Sequence, residues 1–173
     1  AITVGATDKN DGMAYFSSRG WVGNYLIKPD LTAPGVAINA PVLQQGYATY
    51  DGTSMAAPHV AGAAALLRQA HPTWTPAQIK AALMNNTLDV GQNPFAQGAG
   101  RVRVDQALNP NILLLPGSLS FGRVDPTQTL WSKSLAIQVQ NPTANAQSYQ
   151  LTVNAGLPAG LSATLSQNQV TVA

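Results

Sequence analysis

The stretch "YDGTSMAAPHVAGAAALL", Tyr50 to Leu67, decides the reading of this chain. From His59 to Gln69 nearly every residue is small or aliphatic, and Ala61, Gly62, Ala63, Ala64 and Ala65 present no bulk in any direction. A helix that is apolar all round is a buried helix, and small side chains let its backbone approach a sheet closely. At its entrance stand Gly52, which permits a close backbone approach, and Ser54, a hydroxyl placed where free N–H groups and the positive end of the helix dipole face outward. That is the environment a nucleophilic serine needs, because the N–H of Ser54 can stabilise an oxyanion formed above it. A serine in front of a helix is more commonly an N-cap, and the local pattern leaves both readings open. Pro58 costs little if the helix begins near Met55, since first-turn N–H groups have no intrahelical partner to lose.

Outward from this stretch the chain has two textures, which meet near "DQALNPNILLLPGSLSFG". Residues 1–108 mix short β runs with helical ones. "AITVGA" reads as a strand buried on both faces, and "KPDLTAPGVAINAP" as β structure bent by Pro29, Pro34, Gly35 and Pro41. "HPTWTPAQIKAALMNNT" reads as a second helix with Thr75 as N-cap, Pro76 in the first helical position, and Ile79, Leu83 and Met84 on one face. Residues 112–173 show period-two alternation instead: Leu119 and Phe121, then Leu135, Ile137 and Val139, then Tyr149, Leu151 and Val153, then Leu161 and Leu165, then Val170 and Val172. Turn clusters such as "NPTANAQ" and "GLPAG" separate these runs, giving four or five half-buried strands. An immunoglobulin- or fibronectin-type β-sandwich follows, but such folds need about seven strands, so the module reads as partial.

Composition narrows the function classes. The 173 residues are 45% hydrophobic, enough to fill a core, and only 9% charged. The basic residues are scattered singly, which excludes the clustered footprint of a nucleic-acid binder. Cysteine is absent, so disulfides and thiolate chemistry are excluded. There is no signal-peptide pattern and no membrane-length apolar run. The sequence opens without methionine on a strand-like run and reads as a piece of a longer protein.

Over sixteen consecutive residues "GTSMAAPHVAGAAALL" resembles the active-site serine motif of the subtilisin-like serine peptidases. "AITVGATDKNDGMAYFSSRG" is similar to the family's strand and loop ending in "FSS.G", "KPDLTAPG" to its "PD..APG" segment, and "GAGRVRVDQAL" to the close of its catalytic domain. The resemblance covers residues 1–108. It implies an α/β fold, the carboxy-terminal half of a doubly wound parallel sheet, ahead of the partial all-β sandwich read from the alternation of residues 112–173. It implies Ser54 as the acylated nucleophile and Met55 as its oxidisable neighbour. Gly52 and Thr53 shape the turn, and Phe16 and Tyr50 lie near the leaving-group side of the cleft. It also implies a secreted or cell-surface endopeptidase acting on peptide or protein substrates.

The family's Asp and His motifs do not occur in this sequence. His59 does not replace the missing base: five helical steps place it about 140° around the axis and about 7.5 Å along it from Ser54. It reads as a scaffold imidazole, packed and hydrogen-bonded beneath the turn. His71, beside Pro72 at a helix end, reads as a capping or surface residue. The family's oxyanion asparagine has no substitute in Asn10, Asn24 or Asn39. The chain alone is therefore expected to be inactive, to need the amino-terminal half of the catalytic domain as partner, and to self-associate through its uncovered strand edge and apolar faces. The alternative is a non-catalytic binding or assembly module that retains a remnant of the protease fold. No cofactor is assigned. The family resemblance allows calcium in the full-length enzyme, and Asp30 lies where some relatives place a cation ligand, but it is a single carboxylate with Lys28 beside it. "TDKNDG", Thr7 to Gly12, lacks the spacing of a calcium loop and reads as a solvated turn.

Overall fold

A computed structural model of the chain describes all residues except 24, 44, 45, 124, 126, 128, 129, 155 and 158, and of residues 21 and 22 the backbone. The run expected as a buried strand forms β1 (Val4–Thr7). It pairs in parallel with β4 (Leu31–Pro34), in the register Val4 to Leu31 through Thr7 to Pro34. Ala6, Thr7, Leu31, Thr32 and Ala33 are all fully buried, as a strand covered on both faces requires. The connection between them carries the antiparallel hairpin of β2 (Gly20–Val22) and β3 (Leu26–Lys28). On its other edge β4 meets residues 100–102: Thr32 N–H donates to Gly100 O and Val102 N–H to Thr32 O, both at 2.8 Å. Arg101 in turn pairs antiparallel with Leu88, which widens this small layer. β5 (Ile38–Val42) and β6 (Gly46–Tyr50) form a separate antiparallel hairpin that leads into the first helix.

α1 (Thr53–Ala70) lies on β1 and β4 and buries Ala56, Val60, Ala63 and Leu67, a single stripe at helical spacing. The expectation of a helix buried all round does not hold for the described residues. Ala57, Pro58, Ala61, Gly62 and Ala65 are exposed, and Leu66 is 50% exposed. One sheet layer covers one stripe of a helix; apolar composition on the opposite side permits burial without supplying a partner. Pro58 also falls deeper than expected, inside the helix, because the helix begins at Thr53. It therefore removes one intrahelical donor that would have faced the Ser54 carbonyl.

α2 (Pro76–Asn85) starts where its sequence says. Thr75 is the N-cap: its Oγ1 accepts from Gln78 N–H, while Gln78 Oε1 accepts from Thr75 N–H at 2.9 Å, a complete capping box. Ala81, Ala82, Leu83 and Met84 are buried and Ile79 packs against the core. His71 caps α1, its N–H donating to Leu67 O, and its ring stacks on Trp74 with centroids 3.7 Å apart. Two one-turn helices follow, α3 (Pro94–Gln97) and α4 (Val104–Ala107).

Beyond Leu108, β7 (Leu113–Leu115) pairs antiparallel with β8 (Gln138–Gln140), and β9 (Gln147–Gln150) with β10 (Gln169–Val172). β7 packs on α2: Leu113 is 1% exposed within the core that α1 and α2 build, and Leu114 N–H donates to Asn85 Oδ1 at 2.8 Å. Among the described residues from 112 onward only Leu113 is buried. Val139, Tyr149, Val170 and Val172 are half-buried as their alternation suggests. Residues 119–121, 135–137, 151–153 and 161–165 form no strand. No helix of the described residues is long and apolar enough to cross a membrane.

Candidate active site

The turn that carries Ser54 is built by two glycines. Gly52 N–H donates to Gly35 O at 2.8 Å, and Gly35 N–H donates to Thr7 O at 2.8 Å, so the end of β1, the residue after β4 and the entrance of α1 form one hydrogen-bonded chain. Gly35 is required there. A Cβ on it would lie 2.7 Å from Gly52 O, 2.7 Å from Ala6 Cβ and 3.2 Å from Ala56 Cβ. Asp51 adds a second tie, its Oδ1 accepting from Ala37 N–H at 2.6 Å, where Ala37 adopts a left-handed φ of 52°. These contacts fix the helix entrance against the sheet before the serine is reached. The sequence offered "APG" as a bend and as a segment similar to the family's, but neither Gly35 nor Asp51 stood out as a positioning residue.

The N-cap of α1 is Gly52, with no side-chain cap. Ser54 is the second helical residue, is exposed, and among the described residues its hydroxyl and its N–H have no partner. An N-cap serine would instead spend its oxygen on the helix amides two or three residues ahead. Here the Ala56 N–H, two residues ahead, donates instead to Gly52 O at 3.3 Å, as does the Met55 N–H at 3.0 Å. The Ser54 oxygen is thus free for chemistry, with an open donor beside it at the positive end of an 18-residue helix.

Around it, Thr53 and Met55 are half-buried on the first turn, and a Cβ on Gly52 would lie 3.4 Å from the Met55 sulfur. Tyr50 ends β6 opposite Ile38 and is 53% exposed. Phe16 is half-buried against the core, its ring edge-on to Tyr15 at 5.3 Å. His59 is on α1, and its Nδ1 lies 2.8 Å from Met55 O. It is exposed, which corrects the expectation of a packed imidazole: it sits on the side of α1 that the sheet does not cover. His71 is engaged far from the helix entrance, its Nε2 2.6 Å from Leu108 O. Of the three asparagines, Asn24 lies outside the described residues, Asn10 donates its backbone N–H to Asp8, and Asn39 pairs with Thr49 in the β5–β6 hairpin. The structure brings neither histidine to the serine as a base.

The "TDKNDG" segment is a turn closed by Asp8 Oδ1, which accepts from Asn10 N–H and Gly12 N–H at 2.8 Å each. Among the described residues no group of three acidic or histidine side chains could hold a metal ion. Asp30, 3% exposed, has its carboxylate shared between Lys28, Lys80 and Thr3. Burial alone would push its pKa up. The hydrogen bonds from Lys28, Lys80 and Thr3 outweigh burial and hold it down to about 2.

Residues 1–100 match the family model of the subtilase family, a peptidase family. The chain belongs to the subtilase family. The chain is 39% identical over 152 residues to the minor extracellular protease Vpr of Bacillus subtilis (strain 168), a match covering 80% of this chain and 19% of Vpr. It is 45% identical over 106 residues to subtilisin NAT of Bacillus subtilis subsp. natto, covering 61% of this chain and 26% of that protein. Among solved structures, the CspB protease of Clostridium perfringens superposes with a TM-score of 0.56 at 36% identity, over 62% of this chain and 25% of the other. The chain therefore spans about a fifth to a quarter of these relatives. The match to Vpr takes in more of this subtilase chain than residues 1–108 could supply, so the likeness continues past Leu108.

Proposed function

We propose that this chain carries the nucleophile of a subtilisin-like serine endopeptidase, and that Ser54 is that nucleophile. The observation behind this is the uncommitted Ser54 hydroxyl, exposed at a helix entrance that Gly35, Gly52 and Asp51 hold in place. In the reaction the Ser54 oxygen attacks the scissile carbonyl carbon while a histidine takes its proton. The carbon–nitrogen bond then breaks, the amine leaves with that proton, and water hydrolyses the acyl-serine. The Ser54 N–H supplies one donor to the oxyanion. Gly52 and Thr53 shape the turn, Met55 flanks the serine, and Phe16 and Tyr50 contact the leaving-group side of the peptide.

The histidine and the aspartate come from polypeptide outside this sequence, since neither His59 nor His71 reaches Ser54. We assign that role to the amino-terminal half of a subtilase domain. Supporting this are the exposed small residues of α1 and the short parallel pair β1–β4, which together suit the interior of a larger doubly wound sheet. Residues 1–108 are then the peptidase part and 112–173 part of a β-sandwich module. Without the partner half, the same surfaces drive self-association. The likeness to an extracellular protease supports a parent protein that acts outside the cell, secreted or at its surface.

The test is hydrolysis of a fluorogenic peptide by the complete gene product that contains this sequence. Ser54→Ala abolishes turnover while leaving circular dichroism unchanged, because the Ser54 oxygen holds no internal bond. The 173-residue chain alone shows no turnover. Full activity in Ser54→Ala would refute the assignment.

A further inference from the structure

Asp30 is a carboxylate 3% exposed, at the head of β4, and such a charge persists only if it is compensated. Both of its oxygens are spoken for. Oδ1 accepts from Lys28 Nζ at 2.8 Å and Lys80 Nζ at 2.9 Å; Oδ2 accepts from Thr3 N–H at 2.8 Å and Thr3 Oγ1 at 3.0 Å. Thr3 Oγ1 also lies 3.0 Å from Asp30 N–H, which donates to it, and Lys80 Nζ reaches Ala1 O at 3.2 Å. The donors come from three places: the first residues of the chain, β3 and α2.

A calcium ion needs six to eight oxygen ligands. This locus offers one carboxylate whose acceptor positions are filled, beside two ammonium groups that leave a net positive charge. The residues present do not fit the cation that family resemblance allows near this carboxylate. We propose that Lys28 and Lys80 stand in the place of a cation at Asp30, forming a metal-independent clasp that fastens residues 1–3 and β4 to α2.

The clasp is tested by thermal melts of the full chain, with the same chain after EDTA treatment and with millimolar calcium. The wild-type melting temperature is the same in both. A calcium-induced rise of equal size in wild type and Asp30→Asn places any binding elsewhere and agrees with the clasp; a rise in wild type that Asp30→Asn abolishes overturns it. Should Asp30→Asn not fold, carboxylate-carbon NMR of the aspartate-labelled chain decides. The Asp30 carboxylate resonance, assigned through its connectivity to the backbone, stays fixed as calcium is added; its displacement by calcium overturns the clasp. On the other arm, Lys28→Met and Lys80→Met each lower the melting temperature by several degrees, and methylammonium restores part of the loss while sodium at equal ionic strength does not. An unchanged melting temperature in the double variant, or equal rescue by sodium, would also overturn it.

Discussion

Gly35→Ala puts the geometry of the serine turn to a direct test. The added methyl meets Gly52 O and Ala6 Cβ at 2.7 Å and Ala56 Cβ at 3.2 Å, and no flexible side-chain end is among the three. One contact is backbone and the others are methyls of buried alanines on β1 and α1, so relief requires α1 to move away from the sheet. Overpacking costs typically 1–3 kcal/mol, and with three rigid neighbours the upper end applies, about 3 kcal/mol. For a chain of this size that lowers the melting temperature by roughly 6–12 °C. Urea and thermal denaturation followed by far-ultraviolet circular dichroism measure it. Gly62→Ala is the matched control: Gly62 is exposed in the same helix with nothing within 4 Å of the new methyl, so stability rises by up to about 1 kcal/mol. Wild-type stability in Gly35→Ala would mean that the helix entrance is not held at this distance, and the account of Ser54 positioning would fail with it.

Two further outcomes follow from buried contacts. Because the folded pKa of Asp30 lies below its ordinary value of 3.8, at about 2, the clasp stabilises the fold fully above that ordinary value and loses its contribution as pH falls from about 4 to 2. The amount is roughly 2 kcal/mol, read as the stability difference between pH 6 and pH 2 that wild type shows in excess of Asp30→Asn; equal acid sensitivity in the two would refute it. Leu113→Ala costs about 2–5 kcal/mol because Leu113 fills the core under α2, whereas Leu130→Ala at an 85% exposed position costs nearly nothing. Equal effects at the two positions in chemical denaturation would show that β7 does not brace α2.

What the sequence disclosed was local. Thr75 and Pro76 specify the start of α2, and the structure realises it as written, with Gln78 completing a capping box that the sequence reading did not name. The β1 run and the helix after Gly52 were likewise legible, since each signal lies inside its own element. What failed to show depends on partners far along the chain. The need for glycine at position 35 comes from Ala6 on β1 and Ala56 on α1, and the clasp at Asp30 depends on Lys80, fifty residues away, and on Thr3. The exposure of His59 follows from which side of α1 the sheet covers, which helical periodicity among mostly small apolar residues does not encode. Alternation at Leu161 and Leu165 suits a strand, yet a strand exists only with a ladder to join, and these residues have none.

The central claim is that Ser54 is a nucleophile waiting for a base that this chain does not contain. Fluorophosphonate labelling with mass-spectrometric mapping measures that property alone. In the complete gene product the adduct forms rapidly on Ser54, and on the 173-residue chain it does not form. Rapid stoichiometric labelling of Ser54 in the isolated chain, or an adduct on a different serine of the complete product, would contradict it.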